Sequence, residues 1–198
     1  RGIFFKISAV TIFTVMMAII KTTAGEVPIG QQLFYRAFFG MLVVIGWLAT
    51  RGDLRSALRT SNISGHICRG FSGALAMSLR FFAIGVLTFS EVTALGFTTP
   101  LVLTILAAII LGETVRAFRF ITVILGFVGV VVVLWPTLNF SNDRSTFELI
   151  GAAAILGSAA LAALAHIFVR RLVATENTAQ IVFYYSLLVS VLSLFSLP

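Results

Sequence analysis

At 198 residues, with 59% hydrophobic and only 11% charged side chains, the chain is too apolar for a soluble domain, whose surface needs about a quarter charged residues. A formal net charge of +7 would suit a nucleic-acid binder, but no polar loop interleaves basic and aromatic residues, so nucleic acid is not an expected partner. The single cysteine, Cys68, excludes an intrachain disulfide and offers no metal-ligand spacing, so no metal or other cofactor is expected.

In chain order, Gly2 to Ile20 is apolar apart from Lys6, which is close enough to the end to snorkel to an interface. A signal peptide is rejected, because no small-residue cleavage pattern follows and a related segment recurs in mid-chain. Thr22 to Gly30, with Gly25, Glu26 and Pro28, reads as a tight loop, and Gln31 to Thr50 as a second span enclosing Arg36. Arg51 to Ser64 is a polar, basic loop, and a third span over Gly65 to Leu87 contains Arg80.

After a short Leu87-Thr88-Phe89-Ser90 break and Glu91 comes the uncharged run Val92 to Gly112. About 20 residues at 1.5 Å rise cross a hydrocarbon core of roughly 30 Å, so this is a fourth span. Pro100, near its middle, has no amide hydrogen and crowds the carbonyl of Gly96, which predicts a kink and a freed polar group that Thr98 and Thr99 can satisfy. Interrupted helices at mid-depth mark transport sites, because lipid excludes irregular backbone unless protein or a water-filled cavity covers it.

Glu113 is expected to pair with Arg116 in a basic loop. Phe120 to Asn142 holds the fifth span, with Trp135-Pro136 at headgroup level, and Asn139 to Thr146 forms a polar turn. Leu149 to Val169 is the sixth span, whose Ala154, Ser158 and Ala162 stripe permits close helix approach, and a seventh begins near Thr178. With a cytoplasmic N-terminus, Arg1, Lys6, Arg51, Arg55, Arg59, Arg69, Arg116, Arg119, Arg170 and Arg171 fall inside, against Lys21 and Arg144 outside, the asymmetry that orients membrane proteins.

A shift of 149 positions superposes Gly2 on Gly151, Lys21 on Arg170, Gln31 on Gln180, Phe34 on Phe183 and Tyr35 on Tyr184 without a gap. A unit that starts at the first span and restarts at the sixth has five helices, and an odd number inserts the second copy upside down. The expected architecture is therefore all-α, a polytopic transmembrane bundle: a five-helix repeat over residues 2–136 and the first two helices of an inverted, incomplete second repeat over 148–198.

The PIGQQLFYRAFFG stretch, the RFFAIGVLTFSEVTALGFTTP stretch, the LGE at Leu111 to Glu113 and GFVGVVVVLWP in the fifth span resemble the EamA-type branch of the drug/metabolite transporter superfamily. The resemblance covers the first repeat completely. It implies a ten-helix bundle with a central cavity and transport of small metabolites, and a complete member would need roughly another 80 to 100 residues.

Arg36 and Arg80 are the sharpest site candidates, since a cation at bilayer depth costs at least about 2.5 kcal/mol and must face the bundle interior. Gln32 and Gly40 share the face of Arg36. The expected substrate-binding set is Arg36, Arg80, Glu91, Gln32, Thr98, Thr99, Pro100 and Tyr185, with Arg80 attracting an anionic group. The structural alternatives are an Arg80–Glu91 ion pair, snorkelling of Arg36, and Glu91 as the acidic first-turn residue of its helix. His166, Tyr35 and Tyr184 are weaker candidates, more often packing residues.

Phosphate loops, HExxH and Gly-x-Ser-x-Gly elbows are missing, so the chain does not read as an enzyme or an ATP-driven pump. The expected function is a secondary transporter moving a small organic metabolite across a bacterial-type inner (plasma) membrane; the alternative is a non-transporting membrane scaffold that uses small-residue helix faces. The expected partners are the lipid bilayer and the metabolite, with proton or sodium as candidate coupling ions and a homodimer as a candidate assembly.

Overall fold

The computed structural model describes residues 2–52, 59–112, 117–134 and 146–195. The loop around Arg55, the Glu113–Arg116 pair, Trp135-Pro136 and the turn before Thr146 lie outside these residues. All the described elements are helices: α1 (Gly2–Thr23), α2 (Ile29–Arg51), α3 (Ile63–Val86), α4 (Phe89–Gly96), α5 (Thr98–Leu111), α6 (Ala117–Leu134), α7 (Thr146–Val173) and α8 (Thr178–Leu194). Five stretches are long and apolar enough to cross a membrane, with α4 and α5 together forming one of them, Phe89–Leu111. The chain is an integral membrane, polytopic helical bundle.

Local chemistry sets the helix ends. Asn62 caps α3 by accepting from the Gly65 amide at 2.9 Å. Thr88 and Glu91 form a reciprocal capping box that starts α4, and Asn177 with Gln180 does the same for α8. Gly112 stops α5 in the left-handed region, φ 65°, as a glycine can without Cβ strain. Lys21, at the end of α1, donates its ammonium to the Ile84 and Leu87 carbonyls at 2.7 and 2.8 Å, satisfying acceptors that the end of α3 leaves open.

The core is the antiparallel pair α3 and α7, with α8 against both α2 and α3 and α5 against α7. Small residues make this approach possible: Ala154, Ser158, Ala159 and Ala163 of α7 are buried, as are Gly70, Gly73, Ala74 and Ala83 of α3. Ser158 Oγ donates to the Ala76 carbonyl at 2.6 Å, so Ala154 and Ser158 of the predicted stripe form a packing face with a hydrogen bond in it, while Ala162 is only half-buried. Ile84, Ile155 and Val189 fill the centre. The outer faces of α1 and α6 carry exposed Ile, Phe and Val, as a lipid-facing surface requires.

Candidate functional site

The fourth span breaks at Phe97, one turn before Pro100. Phe97 has φ −64° and ψ −9°, and its amide reaches back to the Thr93 and Ala94 carbonyls. Pro100, in the first turn of α5, has no amide to offer Gly96, while Thr98 Oγ1 donates to the Leu95 carbonyl at 2.5 Å. Thr98 thus bonds the Leu95 carbonyl rather than the Gly96 carbonyl that Pro100 was expected to free.

Beside that break, residues of α1 to α5, α7 and α8 line a cavity of about 410 Å³. Arg36, Arg80, Thr99 and Tyr185 of the predicted set line it together. Gln32, Glu91, Thr98 and Pro100 do not. Gln32 Nε2 donates to the Val27 carbonyl at 3.0 Å and holds the α1–α2 turn. The Glu91 carboxylate accepts from the Thr88 amide at 3.0 Å and the Thr88 hydroxyl at 2.9 Å. Pro100 lines a separate, larger and mainly apolar groove of about 900 Å³ between α4–α5 and α6. Tyr35 turns outward and stacks on Phe39, and Tyr184 packs on His66 with centroids 4.6 Å apart. The space beside Gly40 is met by Ser186 Oγ of α8 rather than by a partner of Arg36.

Two lining residues stand out beyond the predicted set. Arg69 places its guanidinium over the Tyr185 ring, 4.2 Å from the centroid. Arg36 is near enough for the two like charges to repel. His166 lines the same cavity, so its position at the end of the small-residue stripe puts it in the site. Arg69 was hidden in the sequence by its nearness to the basic loop. The readable signal was Gly73 four residues on, where an added Cβ would collide with the Arg69 guanidinium and meet the Tyr185 ring at 2.8 Å. Arg80 is seated similarly: a Cβ at Gly96 would lie 3.1 Å from Arg80 Nη2. Among the described residues no Asp or Glu lines this cavity, so three arginines share it without a carboxylate.

A second space of about 330 Å³ shares Phe13, Arg80 and Gly96 with the first and extends along α1 past Met17. Arg80 therefore stands at the junction of two adjoining cavities.

The model of the EamA-like transporter family matches residues 1–135. The chain belongs to that family. It is similar to the pseudopaline exporter of Pseudomonas aeruginosa, 26% identical over 93% of this chain and 62% of the relative. The S-adenosylmethionine uptake transporter of Rickettsia bellii is 24% identical over 90% of this chain and 62% of its own length. Human solute carrier family 35 member G1 is 27% identical over all of this chain and 57% of that protein. No solved structure matches. The chain spans about 62% of the length of the first two relatives, and the family and its named members are transporters, not enzymes.

Proposed function

We propose that this chain carries the first five-helix repeat, residues 2–136, and the start of an inverted second repeat, residues 148–198, of a secondary transporter. It moves a small organic metabolite across the inner (plasma) membrane by alternating access, with the N-terminus cytoplasmic. The observation that supports this most directly is the arginine-lined cavity of about 410 Å³ beside the break in the fourth span, lined by residues of α1 to α5, α7 and α8. A helix break beside such a cavity is tolerated in lipid because protein covers it. The starts of α2 and α8, Ile29 and Thr178, fall at the same repeat position, which supports the internal register. A scaffold that only associates with other helices has no use for three arginines at this depth.

The test is counterflow into proteoliposomes holding the purified full-length protein, with a labelled metabolite mixture that includes S-adenosylmethionine, amino acids and carboxylic acids. Saturable uptake of at least one component is expected, reduced strongly by Arg80→Gln. Uptake indistinguishable from empty liposomes for every component would end the carrier reading.

A further inference from the structure

The arginine cavity has two poles. At one, the Arg69 guanidinium folds along α3 over Gly73 and faces the Tyr185 ring, with Arg36 close by. At the other, the Arg80 guanidinium rests on Gly96 at the helix break, next to Thr99. Between them the wall is Ala76 and Met77, with the Ser158 hydroxyl already committed to the Ala76 carbonyl. Taking the carrier reading as given, we infer that the substrate is a small organic dianion, one negative group held at the Arg69–Arg36 pole and the other at the Arg80–Thr99 pole.

Several observations converge on this. Arg36 and Arg69 repel one another, Arg80 at the other pole has no charged partner among the described residues, and cations in a low dielectric are stabilised by counter-charge that no carboxylate among the described lining residues supplies. Arg69 Nε and Thr99 Oγ1 are buried and have no hydrogen-bond partner, one at each pole. Buried polar groups are nearly always satisfied, so an open donor at each pole calls for a partner, and a bound anion can accept from both. Both guanidiniums lie against glycines: a Cβ at Gly73 would overlap the Arg69 guanidinium, and one at Gly96 would crowd Arg80 Nη2. The planar guanidinium fork matches carboxylate and phosphate equally well, so the shared requirement is two anionic groups on one small molecule.

The purified full-length protein in detergent tests this by ligand-induced shift in melting temperature. Glutarate and succinate form the carboxylate arm, pyrophosphate the phosphate arm, and leucine and putrescine are zwitterionic and dicationic controls. At least one dianion is expected to raise the melting temperature in a saturable way while both controls do not. Arg69→Gln and Arg80→Gln should each weaken that binding roughly tenfold or more. Gly73→Ala leaves the charge unchanged but displaces the Arg69 guanidinium and should also weaken it, whereas Gly96→Ala, which only crowds Arg80 Nη2, should have a smaller effect. The inference fails if no dianion shifts the melting temperature, if leucine or putrescine shifts it as much, or if the shift survives both arginine substitutions. Saturable proteoliposome uptake of a neutral or cationic metabolite, insensitive to these substitutions, would overturn the dianion alone. Absence of all uptake would instead strike the carrier reading.

Discussion

Glu176, in the turn between α7 and α8, is one of the few acidic residues and is buried. Its Oε1 accepts from the Thr60 hydroxyl at 2.8 Å, the Ser61 amide at 2.8 Å and the Ser61 hydroxyl at 3.0 Å, tying that turn to the loop before α3. Burial pushes the carboxyl up, but the hydrogen bonds from Thr60 and Ser61, with the nearby His66, outweigh it and hold it below the usual carboxylate range. A carboxyl depressed in the folded state contributes stability that is complete above its unfolded value of about 4.3 and is lost as pH falls through the folded value. Glu176→Ala should therefore cost about 1–3 kcal/mol at neutral pH, through donors left open, and should flatten the acid limb of the stability curve. Melting temperatures at neutral and acidic pH, with hydrogen exchange at the Ser61 amide, measure this. An unchanged acid slope in the variant would mean that other carboxyls govern it. At this scale the sequence was least legible. Arg36 and Arg80 announced themselves as isolated charges in apolar runs, whereas Arg69, near the start of the third span, was counted with the cytoplasmic helix-end cations. Glu176 carried no local signal at all, since its partners are more than a hundred residues away in sequence.

The helices themselves were readable almost throughout, because a bilayer demands long uncharged runs and the runs end at Gly, Pro or charged residues. The fourth span shows what such a pattern locates and what it leaves out. Pro100 located the interruption but not its centre, which falls at Phe97 because the missing amide withdraws a hydrogen bond from the preceding turn. Which side of the kink faces the cavity depends on packing between α3, α5 and α7, and composition does not encode that: Thr99 lines the arginine cavity while Pro100 lines the neighbouring groove. Pro100→Ala returns an amide to the position that a continuous helix would bond to the Gly96 carbonyl. The variant is expected to fold with an equal or higher melting temperature and to lose most counterflow activity, since straightening the span draws Gly96 away from Arg80 Nη2. A spin-label distance between α4 and α5, compared with the uptake rate, checks both halves. Full activity in a straightened variant would separate the break from the site.

The whole molecule brings together elements that are remote in the chain: α3 lies on α7 and α2 on α8. That pairing was outside the reach of hydropathy, which lists spans without saying which of them touch. Contacts at the helix ends supply the missing order. Lys21 of α1 meets the end of α3 at Leu87, while Arg171 of α7 donates to the Ile110 carbonyl of α5 at 3.2 Å and Glu176 meets Ser61. These contacts sort the turns into two sets, one at each end of the bundle. The turns after α1 and after α7 occupy the same repeat position but are separated by α2, α3, the broken α4–α5 span, α6 and α7. Under the proposed repeat, five crossings would put equivalent turns on opposite faces, which is the physical content of an inverted repeat. Impermeant maleimide labelling of intact cells tests it directly, once the exposed Cys68 has been replaced by alanine. Both target positions, Glu26 and Thr175, are exposed, so reactivity reports the side of the membrane rather than burial. With the N-terminus cytoplasmic, Glu26→Cys should label in intact cells and Thr175→Cys only after permeabilisation. The opposite pattern would reverse the orientation yet keep the repeat inverted. Labelling of both in intact cells would place equivalent turns on one face, and neither the five-helix unit nor a carrier built from two opposed copies of it would survive that result.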